Sequence, residues 1–137
     1  MNRVLGIALV GLALAIAIVP HFTDCYSQGH LLTLANGNTQ PMKCHWTAQA
    51  EIAVGIPLVG VGAMLSFSRR RGIASGLSVM GIMLGAMALA LPYSLIGTCA
   101  APTHICNTAM KPALTALGSV AIVGSLGAMV LARKLDP

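Results

Sequence analysis

The stretch Met42-Lys43-Cys44-His45-Trp46-Thr47-Ala48-Gln49-Ala50-Glu51 brings a thioether, a thiol, an imidazole, an indole and a carboxylate together just before a long apolar run. A weaker echo, Cys106-Asn107-Thr108-Ala109-Met110-Lys111-Pro112, stands before another apolar run. The sulfur and imidazole chemistry of the chain is completed by Cys25 and Cys99 and by His21, His30 and His104. Four cysteines in an oxidising compartment point first to structural disulfides. Three connectivities exist. Pairing Cys25 with Cys44 and Cys99 with Cys106 closes each loop on itself and is favoured here; the two crossed pairings would instead join the halves of the chain. Such bonds stabilise mainly by restricting the unfolded loop, by roughly 2–4 kcal/mol.

A metal site is the second chemistry. Met42, Cys44, His45, His104 and Cys106 are soft or imidazole ligands suited to copper or zinc. However, the sequence holds neither C-x-x-C nor H-x-x-x-H spacing, and thiols spent in disulfides cannot ligate. No metal and no cofactor is therefore expected, and haem held through His45 is weaker still. His45, Trp46 and Glu51 are the remaining candidate functional residues. Glu51 is an acid at the start of an apolar segment, and an ionisable group in a membrane span is a functional candidate by default. Its expected place in the first helical turn, near the surface, favours a simpler role: capping the helix or pairing with Lys43 or Lys111.

The elements that must position these groups are membrane helices. Of 137 residues, 56% are hydrophobic and 8% charged, against about a quarter charged in an ordinary soluble domain. Too few charges remain to cover a water-facing surface, so lipid is the expected solvent. Runs of about 20 apolar residues span a bilayer, and four fit: about Val4 to Pro20, Ile52 to Phe67, Ile73 to Leu91, and Ala113 to Ala132. The short basic start before the first run resembles that of a signal peptide, but the run is read as a retained helix. No soluble domain, nucleotide motif or charged pathway accompanies these spans, which argues against a pump, a proton relay or a nucleic-acid binder.

Charge placement predicts the topology. Arg3, Arg69, Arg70, Arg71, Arg133 and Lys134 flank one side of the spans, with Lys43 and Lys111 on the other. Positive residues prefer the cytoplasm, so both termini and the arginine loop are expected inside. Every cysteine and histidine then falls outside, with Tyr26, Trp46 and Tyr93 as interfacial anchors. The cytoplasmic side carries little beyond arginine, lysine and Asp136. In the first outer loop, Asn36-Gly37 between short β-capable segments signals a small hairpin. Thr47 is the expected cap of the second helix. Pro57 predicts a kink in that helix. Gly72-x-x-x-Gly76 and Gly81-x-x-x-Gly85 predict close helix packing, as do Gly55, Gly60, Gly62, Gly118, Gly124 and Gly127. Met80, Met83 and Met87 form one stripe, read as adaptable packing rather than a metal path.

The halves echo each other: helix, Pro20, Cys25, loop, Cys44, Thr47-Ala48, helix; then helix, Pro92, Cys99, loop, Cys106, Thr108-Ala109, helix. The expected fold is therefore an all-α membrane protein, one domain over residues 1–137. Its four transmembrane helices form two pseudo-repeated hairpins, about 1–68 and 72–134, with the small β-hairpin in the first outer loop. The parallel repeat places the pseudo-twofold axis along the membrane normal.

Two resemblances bear on function. The outline is similar to four-helix membrane oxidoreductases that pass electrons from external thiols to quinone. Those carry a C-x-x-C pair, whereas six residues separate Cys99 from Cys106 here, and Cys44 has no close partner in sequence. Met-x-Cys-His-Trp-Thr-Ala-x-Ala-Glu before a helix, a C-x₆-C loop and a Pro-Ala-Leu helix start more closely resemble a family of small bacterial four-helix membrane proteins of unknown function. Some of its members sit beside ABC transporters of the macrolide-exporter type. This resemblance implies an accessory role and supplies no catalytic residues. The leading expectation is non-enzymatic: a small accessory or structural subunit of a larger membrane complex, multi-pass in the inner (plasma) membrane, with a disulfide-stabilised extracytoplasmic cap. Its expected partners are the lipid bilayer and other membrane subunits or further copies of itself, with no nucleic acid. The alternative is a membrane thiol or metal redox protein acting through the outer Cys/His cluster.

Overall fold

The computed structural model describes residues 2–134; Asp136 lies outside the described residues. Four long helices run up and down: α1 (Asn2–Thr23), α2 (Lys43–Phe67), α3 (Arg71–Ala90) and α4 (Lys111–Lys134). All four are long and apolar enough to cross a membrane, and the chain is a multi-pass membrane protein. At 1.5 Å per residue, the 22 residues of α1 reach about 33 Å, the thickness of a bilayer core. α1 packs chiefly on α2 and α3 on α4, and contacts between α1 and α4 and between α2 and α3 close the bundle. Leu9, Ile16, Leu58, Leu65 and Leu114 fill its centre.

Small residues set the distance between the helices, as lipid gives no hydrophobic drive for helix association. A Cβ on Gly62 would stand 2.9 Å from Val10 N and 3.0 Å from Gly6 O, so α1 and α2 meet backbone to backbone there. Gly81 and Gly85 make the corresponding approach to Ser125, Gly118 and Ile122 of α4. Among the described residues, Gly60, Gly72, Gly76 and Gly127 have no such neighbour within 4 Å. Met80, Met83 and Met87 point outward, about half exposed or more.

The helix ends differ from the expected ones. α1 continues through Pro20 to Thr23. α2 begins at Lys43, a full turn before Thr47, after an extended Met42 that makes no side-chain cap. α3 continues past Pro92 as a wider π-helical turn, Leu91–Leu95, and a second π turn, Cys106–Met110, leads into α4. The expected hairpin is present: β1 (Leu32–Thr33) pairs antiparallel with β2 (Thr39–Gln40), Leu32 opposite Gln40. Gly37 has a φ of +83° in its turn, a conformation glycine adopts without steric cost.

Candidate metal centre

Each cysteine sits near one helix end, and up-down-up-down topology brings all four to the same end of the bundle. Cys25 lies two residues past α1, and Cys44 is the second residue of α2. Cys99 follows the π turn after α3, and Cys106 opens the π turn before α4. Their Sγ atoms all lie within 4.8 Å of one another. The individual separations include 2.8 Å for Cys25–Cys106, 3.1 Å for Cys44–Cys99, 3.4 Å for Cys25–Cys99 and 3.9 Å for Cys99–Cys106. Cys25, Cys44 and Cys106 are buried, and Cys99 is partly so.

This arrangement corrects the expected disulfides. All four cysteines are free thiols, and the closest pair is well beyond the 2.05 Å of a disulfide. The loops are not closed on themselves. Cys25–Cys106 at 2.8 Å and Cys44–Cys99 at 3.1 Å both join the first half of the chain to the second.

Local structure explains how each sulfur is held. After α1, Asp24 Oδ1 accepts the Ser27 amide at 2.9 Å, and His30 N–H reaches Cys25 O at 2.9 Å, so the chain turns tightly around Cys25. The Cys25 amide points at Cys44 Sγ, 3.4 Å away. At the end of the π turn, the Ile96 and Gly97 amides both bond Leu91 O, and Gly97 has a φ of +83°. That reversal sends Thr98 and Cys99 back across the bundle end. Thr47 Oγ1 donates to Gly97 O at 2.7 Å, fastening this reversal to α2. Thr47 therefore joins two elements rather than capping one. Asn107 holds the Cys99 segment: its Nδ2 donates to Cys99 O at 2.7 Å and Ala101 O at 2.9 Å, and Thr98 Oγ1 donates to its Oδ1.

Of the ligand set expected from sequence, Cys44 and Cys106 lie in the cluster. Met42 Sδ is 3.7 Å from Cys99 Sγ, and His104 Nδ1 is 3.8 Å from Cys25 Sγ. His45 is directed elsewhere. Its Nδ1 donates to Asp24 Oδ2 at 3.0 Å, and its ring stands against Tyr26 and Trp46. Burial works against an ionised Asp24, but hydrogen bonds from Ser27 and His45 outweigh it and hold the carboxyl below its ordinary pKa. The pair links the neighbour of Cys25 to the neighbour of Cys44, so it clasps α1 to α2 beside two of the thiols. Trp46 is 58% exposed, a ring placed for an interface rather than for the cluster.

Glu51 departs furthest from expectation. Because α2 starts early, Glu51 lies in its third turn, is fully buried, and has no hydrogen-bond partner for either carboxylate oxygen among the described residues. It neither caps the helix nor pairs with Lys43 or Lys111. Lys111 instead lies over the Tyr93 ring, 4.4 Å from its centroid.

Sequence reasoning missed Asp24 and Asn107 as positioning residues. The available signal was adjacency: Asp24-Cys25, Cys44-His45 and Cys106-Asn107 each set a polar group beside a thiol. Burial pushes the Cys25 thiol up to about 12 and also raises that of Cys99, so both carry protons at neutral pH until something replaces them. Four convergent sulfurs with replaceable protons can bind a thiophilic cation or be oxidised in pairs.

The model of a family described as a domain of unknown function (DUF4418) matches residues 7–131. The chain belongs to this family. No curated protein and no solved structure matches it. Membership agrees with the family resemblance read from the sequence and assigns no activity.

Proposed function

We propose that this member of the DUF4418 family is a metal-binding membrane protein that holds one thiophilic ion, zinc(II) in the first instance, between Cys25, Cys44, Cys99 and Cys106. The observation that carries the reading is the convergence of four sulfurs from four helix ends within 4.8 Å. Thiolates at 2.3 Å around a tetrahedral zinc ion stand about 3.8 Å apart, inside the range of separations found here. Four-sulfur tetrahedral sites favour zinc or iron, and largely buried, fully protein-ligated sites are structural rather than catalytic. Such an ion would tie both helical hairpins together at one end, whereas the disulfides favoured from the sequence would have closed each outer loop on itself. The charge pattern supports placing this end outside the cytoplasm, with both termini inside. A small locked bundle of this kind suits an accessory subunit of a larger membrane complex.

Cobalt(II) tests the reading directly. Added to reduced, metal-stripped protein in detergent micelles, it should give intense sulfur-to-cobalt charge-transfer bands and tetrahedral d–d bands that saturate at one equivalent. Absence of these bands, with all four thiols still reactive, would contradict it.

A second reading has its own support. The Cys25–Cys106 and Cys44–Cys99 pairs share no atom and stand 2.8 Å and 3.1 Å apart. Each pair could give up two electrons and two protons to an external oxidant and form a disulfide across the halves. Exclusive recovery of those two cross-links from unreduced protein would favour thiol redox chemistry over metal binding.

A further inference from the structure

Among the described residues, two clefts that border the sulfur cluster stand out. One, of about 230 Å³, is lined by Cys25, Gln28, His30, Thr103, His104 and Ile105. The other, of about 340 Å³, reaches Cys99, Met42 and His104 but is also lined by Lys43. A fixed ammonium opposes the approach of a cation. The Cys25 cleft has no cationic lysine or arginine in its lining, and it carries two imidazoles.

Those imidazoles form a graded path. His30 is exposed, His104 is partly buried, and Cys25 is buried. The His30 and His104 rings lie nearly parallel, 29° apart, with centroids 5.9 Å from each other. His104 Nδ1 is 3.8 Å from Cys25 Sγ. Neutral imidazole binds zinc and copper well. A closed thiolate site also needs a way for the ion to shed water and for the thiols to shed protons. The hairpin loop supplies His30 and the α3–α4 loop supplies His104, so the path exists only once both halves of the chain are folded together.

We infer that His30 and His104 form a metal acquisition site that captures a hydrated divalent ion at the mouth of the Cys25 cleft and passes it to the four-cysteine cluster. The inference rests on the four-thiolate reading and specifies how that site is loaded. His104 holds the ion beside Cys25 while Cys25 replaces it as ligand; the thiol proton leaves with the displaced water. His30 acts earlier, lowering the cost of the first water loss. Neither histidine is a ligand in the loaded centre.

The test is the rate of loading. Reduced, metal-stripped full-length protein in micelles is mixed rapidly with zinc(II) or cobalt(II), and uptake is followed by the cobalt–thiolate absorbance or by loss of thiol reactivity. His30→Ala, His104→Ala and the double variant are compared with His21→Ala, a histidine in the last turn of α1 outside this cleft. The double variant is expected to load at least about tenfold more slowly, while its endpoint stays at one ion and its equilibrium affinity stays within about threefold of wild type. His21→Ala should load at the wild-type rate. Unchanged loading in the double variant would overturn the inference. A loss of affinity as large as the loss of rate would also overturn it, because His104 would then be a ligand of the finished site. Should wild-type protein take up no ion at all, the four-thiolate reading fails first, and that result is distinguishable from a failure of the histidine path.

Discussion

Replacing Cys106 by serine removes one of four sulfurs at a position with no room for a substitute ligand. Its Sγ is fully buried, 2.8 Å from that of Cys25 and 3.9 Å from that of Cys99. Structural zinc sites release about 10–16 kcal/mol on binding, or roughly 2.5–4 kcal/mol for each of four ligands if evenly shared. At 1.36 kcal/mol per decade, Cys106→Ser should weaken zinc binding by roughly 10²–10³-fold. The shape of the side chain is nearly kept, so packing of the core cluster that contains it should survive. Helix content by circular dichroism should therefore match the wild type. The assay is competition against a chelator of known zinc affinity, in detergent micelles under reducing conditions. Cys44→Ser and Cys25→Ser should give losses of the same order, since all three thiols are buried in one cluster. Wild-type affinity in Cys106→Ser, with helix content preserved, would show that the sulfurs do not act together and would refute the reasoning.

Glu51→Met should raise thermal stability in micelles by roughly 1–3 kcal/mol, because it replaces a buried carboxyl lacking partners with an apolar side chain of similar volume; a loss of stability would show that the carboxyl has a necessary partner. Gly62→Ala should destabilise by about 1–3 kcal/mol, since its Cβ meets the backbone of α1. Gly60→Ala, with open space around it, should be neutral or gain up to about 1 kcal/mol in unfolding experiments. Asn107→Ala removes three hydrogen bonds from the Cys99 segment. It should cost about 1–3 kcal/mol and speed alkylation of Cys99 in metal-free protein, read by mass spectrometry.

The membrane helices and the small hairpin were legible because long apolar runs and Asn36-Gly37 are local signals. The convergence of the cysteines was not, because all but the Cys99–Cys106 contact join residues 19 to 81 positions apart, such as Cys25 with Cys44 and with Cys106. Spacing rules for metal sites look for short repeats such as C-x-x-C, whereas this site takes one ligand from each of four helix ends. The clue was topological: four cysteines beside four ends that alternate direction must share one end of the bundle. Glu51 was misplaced for a different reason. Thr47 looked like a cap, but its hydroxyl bonds Gly97 O, and α2 begins one turn earlier. That turn moves Glu51 from the helix start into the core. Asp24 passed as an ordinary loop acid because its partner, His45, lies 21 residues away.

The most direct measurement is the intact mass of gently purified, unreduced protein under native and denaturing conditions, with alkylation before and after metal removal. The account predicts one thiophilic ion per chain, four sulfurs protected while it is bound, and four alkylated once it is removed. A metal-free protein whose mass is four hydrogens lighter, with no thiol to alkylate before reduction, would contradict it and assign the cluster to disulfide chemistry.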